Sequence, residues 1–203
     1  DGGWGGSVGD PSHVGWMTPG ARALILALGA NHSAVKDFLA LYKTRAENGL
    51  QQAAEEATIF LMANDFAEAK KLLDSIASYQ QSSGGWPTTG SLPAHEQTTA
   101  GIVNAFIRYR QATGSSSYNT VISKALTYVT PALQAEWGLT DSYEAVRQSG
   151  MAACALAAAG MRDSTSVQKC LTRFLNRGPD WYGYFCDPTY SYGTNAGGWA
   201  CRA

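Results

Sequence analysis

The chain has 203 residues and a formal net charge of -1, with 45% apolar residues and only 15% Asp, Glu, Lys and Arg, against a usual charged share of about 25%. Its polar surface must therefore be built largely from Ser, Thr, Asn, Gln and Gly, and no basic face is expected to neutralise a phosphate backbone, which argues against nucleic acid as a partner. No apolar run approaches the roughly 20 residues a membrane-spanning helix needs, and the most apolar stretch, residues 21–30, contains Arg22. The chain begins on Asp1 with no apolar leader, which reads as a processed or excised N-terminus.

In chain order, Gly2-Gly3-Trp4 and a loop lead through Thr18-Pro19-Gly20 into the apolar run 21–30. A more amphipathic helix follows over 33–47, with Val35, Phe38, Leu39 and Tyr42 on one stripe. Apolar spacings of three and four are the mark of a helix with one buried face. A second pair covers 50–63 and 66–79, the latter striped with Phe66, Ala69, Leu72, Leu73 and Ile76. Asp65 stands where a cap belongs, with Glu68 three residues on, a capping-box spacing.

Gly84-Gly85-Trp86 then repeats the opening turn, and a loop leads through Thr98-Thr99-Ala100-Gly101 to an apolar helix over 102–109 and an amphipathic one over 118–133. Trp137-Gly138 opens the last pair, which passes through Gln148-Ser149-Gly150 to helices over 151–160 and 164–176. Four helix pairs are thus expected. The first member of each is apolar nearly all round and shielded by neighbours, and the second is half exposed. A helix pair recurring in this way marks a stacked or ring-like array. The expected fold is all-α, with about four antiparallel helix hairpins in an α/α toroid or partial toroid, as one domain over residues 1–203. The Tyr-rich stretch 181–199 is read as loop because of its Gly and Pro content.

The four cysteines, Cys154, Cys170, Cys186 and Cys201, lie in the last quarter with no close pair of the kind zinc sites use. Two disulfides in an oxidising compartment are expected, preferably Cys154 to Cys170 and Cys186 to Cys201. Three connectivities are open, and four buried free thiols are the alternative. Asn31-His32-Ser33 is a glycosylation sequon.

Gln80, Gly84 and Trp86, within Tyr79-Gln80-Gln81-Ser82-Ser83-Gly84-Gly85-Trp86, resemble the QW motif of the terpenoid cyclase and protein prenyltransferase superfamily. Residues 1–5 and 196–199 look like the tails of further copies. In that family the Gln ties helix ends by hydrogen bonds, so the resemblance implies an α/α toroid. Four hairpins are fewer than a closed family barrel uses, so it also implies a fragment or a ring completed by a neighbour. The family's chemistry is not implied. The sequence has no Asp-x-Asp-Asp and no Gly-Cys-Gly-Glu-Gln thioester, and its histidines, His13, His32 and His95, all precede the first Cys. Gly84-Gly85-Trp86-Pro87 also resembles a stretch of some α/α pectate lyases.

In such a toroid the loops entering the inner helices ring a cup, which would gather Asp10, His13, Trp16, His95, Glu96, Asp141, Glu144 and Arg147. His95 beside a carboxylate suits general acid–base work, and Glu96 with Glu144 or Asp141 is the pair a glycoside-cleaving enzyme would use. Acids at helix starts equally serve caps and the helix dipole. No metal site and no cofactor are expected, since adjacent His95 and Glu96 rarely share a face. Trp16, Trp86, Trp181, Tyr182, Tyr184, Tyr190, Tyr192 and Trp199 are candidate ring surfaces for sugars or a protein partner, or else filling for the end of the stack.

Low charge, incomplete motif copies at both ends and the absence of a catalytic signature point to an extracellular, non-enzymatic structural or binding module. It would be secreted, periplasmic or at the cell surface, and would associate with copies of itself or a parent-chain neighbour, with polysaccharide as a candidate ligand. The alternative is a polysaccharide lyase or glycoside hydrolase using the cup.

Overall fold

The computed structural model describes residues 14–44, 49–88, 91–133 and 143–177, with the backbone alone described at 14–20, 143–147 and 173–177. The described residues form eight α-helices: α1 (Val14–Leu28), α2 (Ser33–Tyr42), α3 (Leu50–Met62), α4 (Phe66–Ala77), α5 (Glu96–Thr113), α6 (Asn119–Val129), α7 (Tyr143–Leu156) and α8 (Thr165–Arg177). The only extended pairing among them is an isolated bridge between Pro87 and Ala94. The all-α expectation holds. No helix among the described residues is long and apolar enough to cross a membrane.

Three helices start earlier than their apolar runs. α1 already includes Trp16 and passes through Pro19, α5 begins six residues before Ile102, and α7 begins at Tyr143. The polar lead-ins read as loop from composition are helical first turns, where side chains sit too near the helix end to need an apolar stripe. α6 stops at Val129, earlier than expected, because Pro131 turns the chain into a single 3₁₀ turn, Thr130–Ala132.

The chain divides into two compact units, residues 1–79 with 108–116, and residues 80–107 with 117–203. In the first, α1 packs on α2 and α3, and α3 packs on α4. α3 buries Ala53, Ala54, Ala57, Ile59, Phe60 and Leu61, whereas α4 buries only Ala69, Leu73 and Ile76 along one face. Phe38, Tyr42 and Phe60 run as a ladder of tilted rings with centroids 5.5 and 6.0 Å apart. α1 departs from the all-round burial expected of it. Ala21 and Ile25 are buried, but Leu26 is 74% exposed with Ala23 and Ala27 on the same open side, and Leu28, the last residue of the helix, is 43% exposed. The sequence pattern anticipated neighbours on both flanks, and the described residues leave one flank uncovered.

The α3–α4 turn is pinned by polar contacts. Asn64 adopts a left-handed φ of 62°, so the Asp65 amide reaches back to the Phe60 carbonyl at 2.9 Å and closes the helix end. Asp65 Oδ1 accepts from the Glu68 amide at 3.2 Å, realising half of the expected capping box. Glu68 instead pairs with Lys71 at 2.9 Å. Asp65 Oδ2 meets Lys43 Nζ, and that ammonium also sits 5.4 Å from the Phe60 ring centroid. Lys43 beside Asp65 holds its carboxyl below the usual 3.8, outweighing partial burial. A folded-state pKa lowered in this way gives stability that is present above 3.8 and lost as pH falls through the lowered value. Asp65→Asn keeps a capping oxygen but not the charge, and is expected to cost little at pH 3 and under about 1 kcal/mol at pH 7. Asp65→Ala should cost about 1 kcal/mol at pH 3 through the lost cap, and more at pH 7, where the ion pair with Lys43 is lost as well. Urea melts of the three proteins at the two pH values check this.

In the second unit α7 packs against α6 and α8, and Met151, Ala152, Ala153, Ala155 and Leu156 are buried in succession. Cys154 and Cys170 are both buried, and the disulfide expected between them is not formed. The Cys170 thiol turns to the Ser149 carbonyl at 3.9 Å. Burial, with a smaller effect of neighbouring Cys154, pushes the Cys170 thiol up to about 12. Cys186 and Cys201 lie outside the described residues. Because the thiolate is the nucleophile, Cys170 should resist iodoacetamide at pH 8 in the native protein and react fully in denaturant. Peptide mass mapping would show it, and native labelling as fast as that of a free thiol would refute it.

Candidate functional site

The polar contacts of the second unit concentrate where the Gln80–Trp86 turn meets the start of α5. The turn begins with Gln80, whose Nε2 donates to the Gly84 carbonyl at 2.8 Å and to the Val121 carbonyl of α6 at 2.9 Å. One amide thus closes its own turn and ties it to α6. Gly84 has a φ of 94°, and a Cβ there would lie 2.5 Å from the Lys124 carbonyl oxygen. Glycine is required twice over, for its backbone conformation and for the approach of α6. A Cβ on Gly85 would fall within 3 Å of Ala94, Tyr128 and Thr99.

Trp86 is fully buried, stacked on Phe106 of α5 at 5.6 Å, and Phe106 meets Tyr118 edge-on at 4.9 Å. The Trp86 amide donates to Thr99 Oγ1 at 2.9 Å, and its carbonyl accepts from the His95 amide at 2.9 Å. Gln81 clamps the return strand from the other side. Its Oε1 accepts from the Ala94 amide at 3.0 Å and its Nε2 donates to the Leu92 carbonyl at 2.8 Å. Tyr128 of α6 donates its hydroxyl to the Ala94 carbonyl at 2.7 Å. Burial, reinforced by the Glu96 charge, raises the Tyr128 phenol above its ordinary value.

Around the start of α5, Gln97, Thr98 and Thr99 are buried, and Thr98 and Thr88 pair their hydroxyls at 3.3 Å. His95 Nδ1 is buried without a hydrogen-bond partner. Glu96 occupies the first turn of α5, half-buried, where a carboxylate favours the helix dipole. Asp141 lies outside the described residues, and of Glu144 only the backbone, in the first turn of α7, is described. The partner carboxylates proposed for Glu96 thus lie outside the described side chains. The described residues hold no cluster of three or more His, Cys, Asp or Glu suited to a metal.

The aromatic candidates fare differently. Trp86 cannot offer a face to a sugar, because Phe106 and the turn enclose it; its role is packing. Trp16 lies in the first turn of α1 with its side chain outside the described residues, as do Trp181, Tyr182, Tyr184, Tyr190, Tyr192 and Trp199 in their entirety. Asn31 is exposed in the turn between α1 and α2. Sequence reasoning missed Gln81, Thr99 and Tyr128, although a second Gln beside Gln80 and a Thr pair at a helix start are visible signals.

No family model, no curated protein and no solved structure matches the chain.

Substitutions rank by what each removes. Trp86→Ala should cost about 3–5 kcal/mol through the cavity beside Phe106. Gly84→Ala should cost about 1–3 kcal/mol through strain and collision with α6. Thr99→Val should cost about 1–3 kcal/mol by leaving the Trp86 amide buried and unpaired. Chemical denaturation checks the series, and a neutral Gly84→Ala would show that α6 does not need this approach.

Proposed function

We propose that the chain is an extracellular, non-enzymatic helical-repeat module that associates with further copies of itself. The observation that carries this reading is the open side of α1. α3, the first helix of the next hairpin, buries residues on nearly every face, whereas α1 leaves Ala23, Leu26, Ala27 and Leu28 exposed. Ala23, Leu26 and Ala27 recur at three and four residues and form one stripe, and Leu28 is exposed at the helix end. A contiguous apolar stripe on an end helix is what a further hairpin would cover in a stacked array. A head-to-tail contact of that kind yields a closed ring or an open filament.

Two features support a partial toroid. Consecutive helices pack as hairpins, α1 on α2, α3 on α4 and α7 on α8, with α1 also against α3. The Gln80 amide ties its turn to α6, in the manner expected of a QW-like motif. The resemblance to the terpenoid cyclase and prenyltransferase superfamily is kept as a statement about architecture, without that family's chemistry. The aromatic group from Trp181 to Trp199 is the candidate polysaccharide contact.

Light scattering and sedimentation across the micromolar range test the assembly. Burying one Leu is worth about 1.5–3 kcal/mol, so Leu26→Lys should weaken self-association by tenfold or more while leaving helicity unchanged. A particle that stays monomeric at high concentration would remove the reading.

A further inference from the structure

We propose that Asn31 carries an N-linked oligosaccharide. The inference rests on the extracellular reading above and adds a modification site to it. Asn31-His32-Ser33 is the single Asn-x-Ser/Thr sequon in the chain. The structure puts it on the tight link between α1 and α2, where Gly29 takes a φ of 80° and α2 begins at Ser33. Asn31, His32 and Ser33 are all exposed. The middle residue is extended, with φ -64° and ψ 140°, and its ring is occupied in capping α2, His32 Nδ1 accepting from the Ala34 amide at 3.2 Å. The buried face of α2, made by Val35, Phe38, Leu39 and Tyr42, begins only beyond the sequon. A sugar on the Asn31 amide therefore displaces no packed side chain and leaves the α2 cap intact.

The chemistry requires a polyprenyl-diphosphate-linked oligosaccharide and its membrane transferase as co-reactants. The Asn31 amide nitrogen attacks the anomeric carbon and forms the N–C bond. The C–O bond to the diphosphate breaks, the diphosphate leaves with the electron pair, and the amide proton passes to a base of the transferase. The Ser33 hydroxyl is the recognition group. Because Ser33 is fixed in the first turn of α2 once the chain folds, transfer belongs to the stage before α1 and α2 close on each other.

The test is secretion of the full chain from a glycosylating eukaryotic host, read by intact mass before and after peptide N-glycosidase. The expected result is a glycosidase-sensitive increment of one core oligosaccharide on the wild-type chain. It should be retained in Ser33→Thr and fully lost in both Ser33→Ala and Asn31→Gln. A secreted chain of unmodified mass, or an increment that survives Ser33→Ala, overturns the proposal. A glycosylated chain that remains monomeric would leave this site standing and remove the self-association. An unmodified secreted chain that self-associates would do the reverse.

Discussion

The second unit depends on a close approach that only a bare backbone allows. At Gly84 the chain passes so near the Lys124 carbonyl that no side chain fits, and this contact lets the Gln80 amide reach across to α6. Once the turn is set there, Trp86 is directed into the space beside Phe106, where its large apolar ring contributes most when fully covered. The hydrogen bonds to Thr99 and from His95 then place the start of α5. Glycine, glutamine and tryptophan each solve a separate problem at one bend: conformation, polar satisfaction and burial.

Much of this was visible beforehand. Helical spacing revealed α2, α4 and α8, and the Gly-Gly-Trp grammar located the turn. The apolar density of 50–63 and 151–160 anticipated the burial of α3 and α7. Less visible was anything that depends on neighbours. The helical starts at Val14, Glu96 and Tyr143 are polar or turn-like in composition, and tertiary packing overrides such local preferences. Of the two roles the sequence leaves open for Trp86, ligand platform or packing, Phe106, twenty residues away, decides for packing by enclosing it. The Cys154–Cys170 pairing failed for the same kind of reason, since spacing across a hairpin does not say which way a thiol turns. Of the cup residues, Glu96 opens α5 rather than lying in a loop before it, with His95 just ahead of it, and helix-start acids have capping duties enough to account for Glu96.

The contrast between α1 and α3 bears most directly on function. Both are alanine-rich first helices of hairpins, yet α3 is enclosed and α1 leaves a leucine three-quarters bare. A low-charge surface lacks the self-repulsion that would otherwise discourage such a stripe from meeting another copy.

The crosslinks from Gln80, Gln81 and Tyr128 also govern how this region can come apart. Segments bound by shared hydrogen bonds open together rather than fraying singly. Baring the Trp86 amide to solvent requires Thr99 to let go, and lifting residues 92–95 requires release by both Gln81 and the Tyr128 hydroxyl. The bend, the head of α5 and the middle of α6 therefore behave as one cooperative block. Damage to any of the three should be felt as a loss of kinetic protection in the other two.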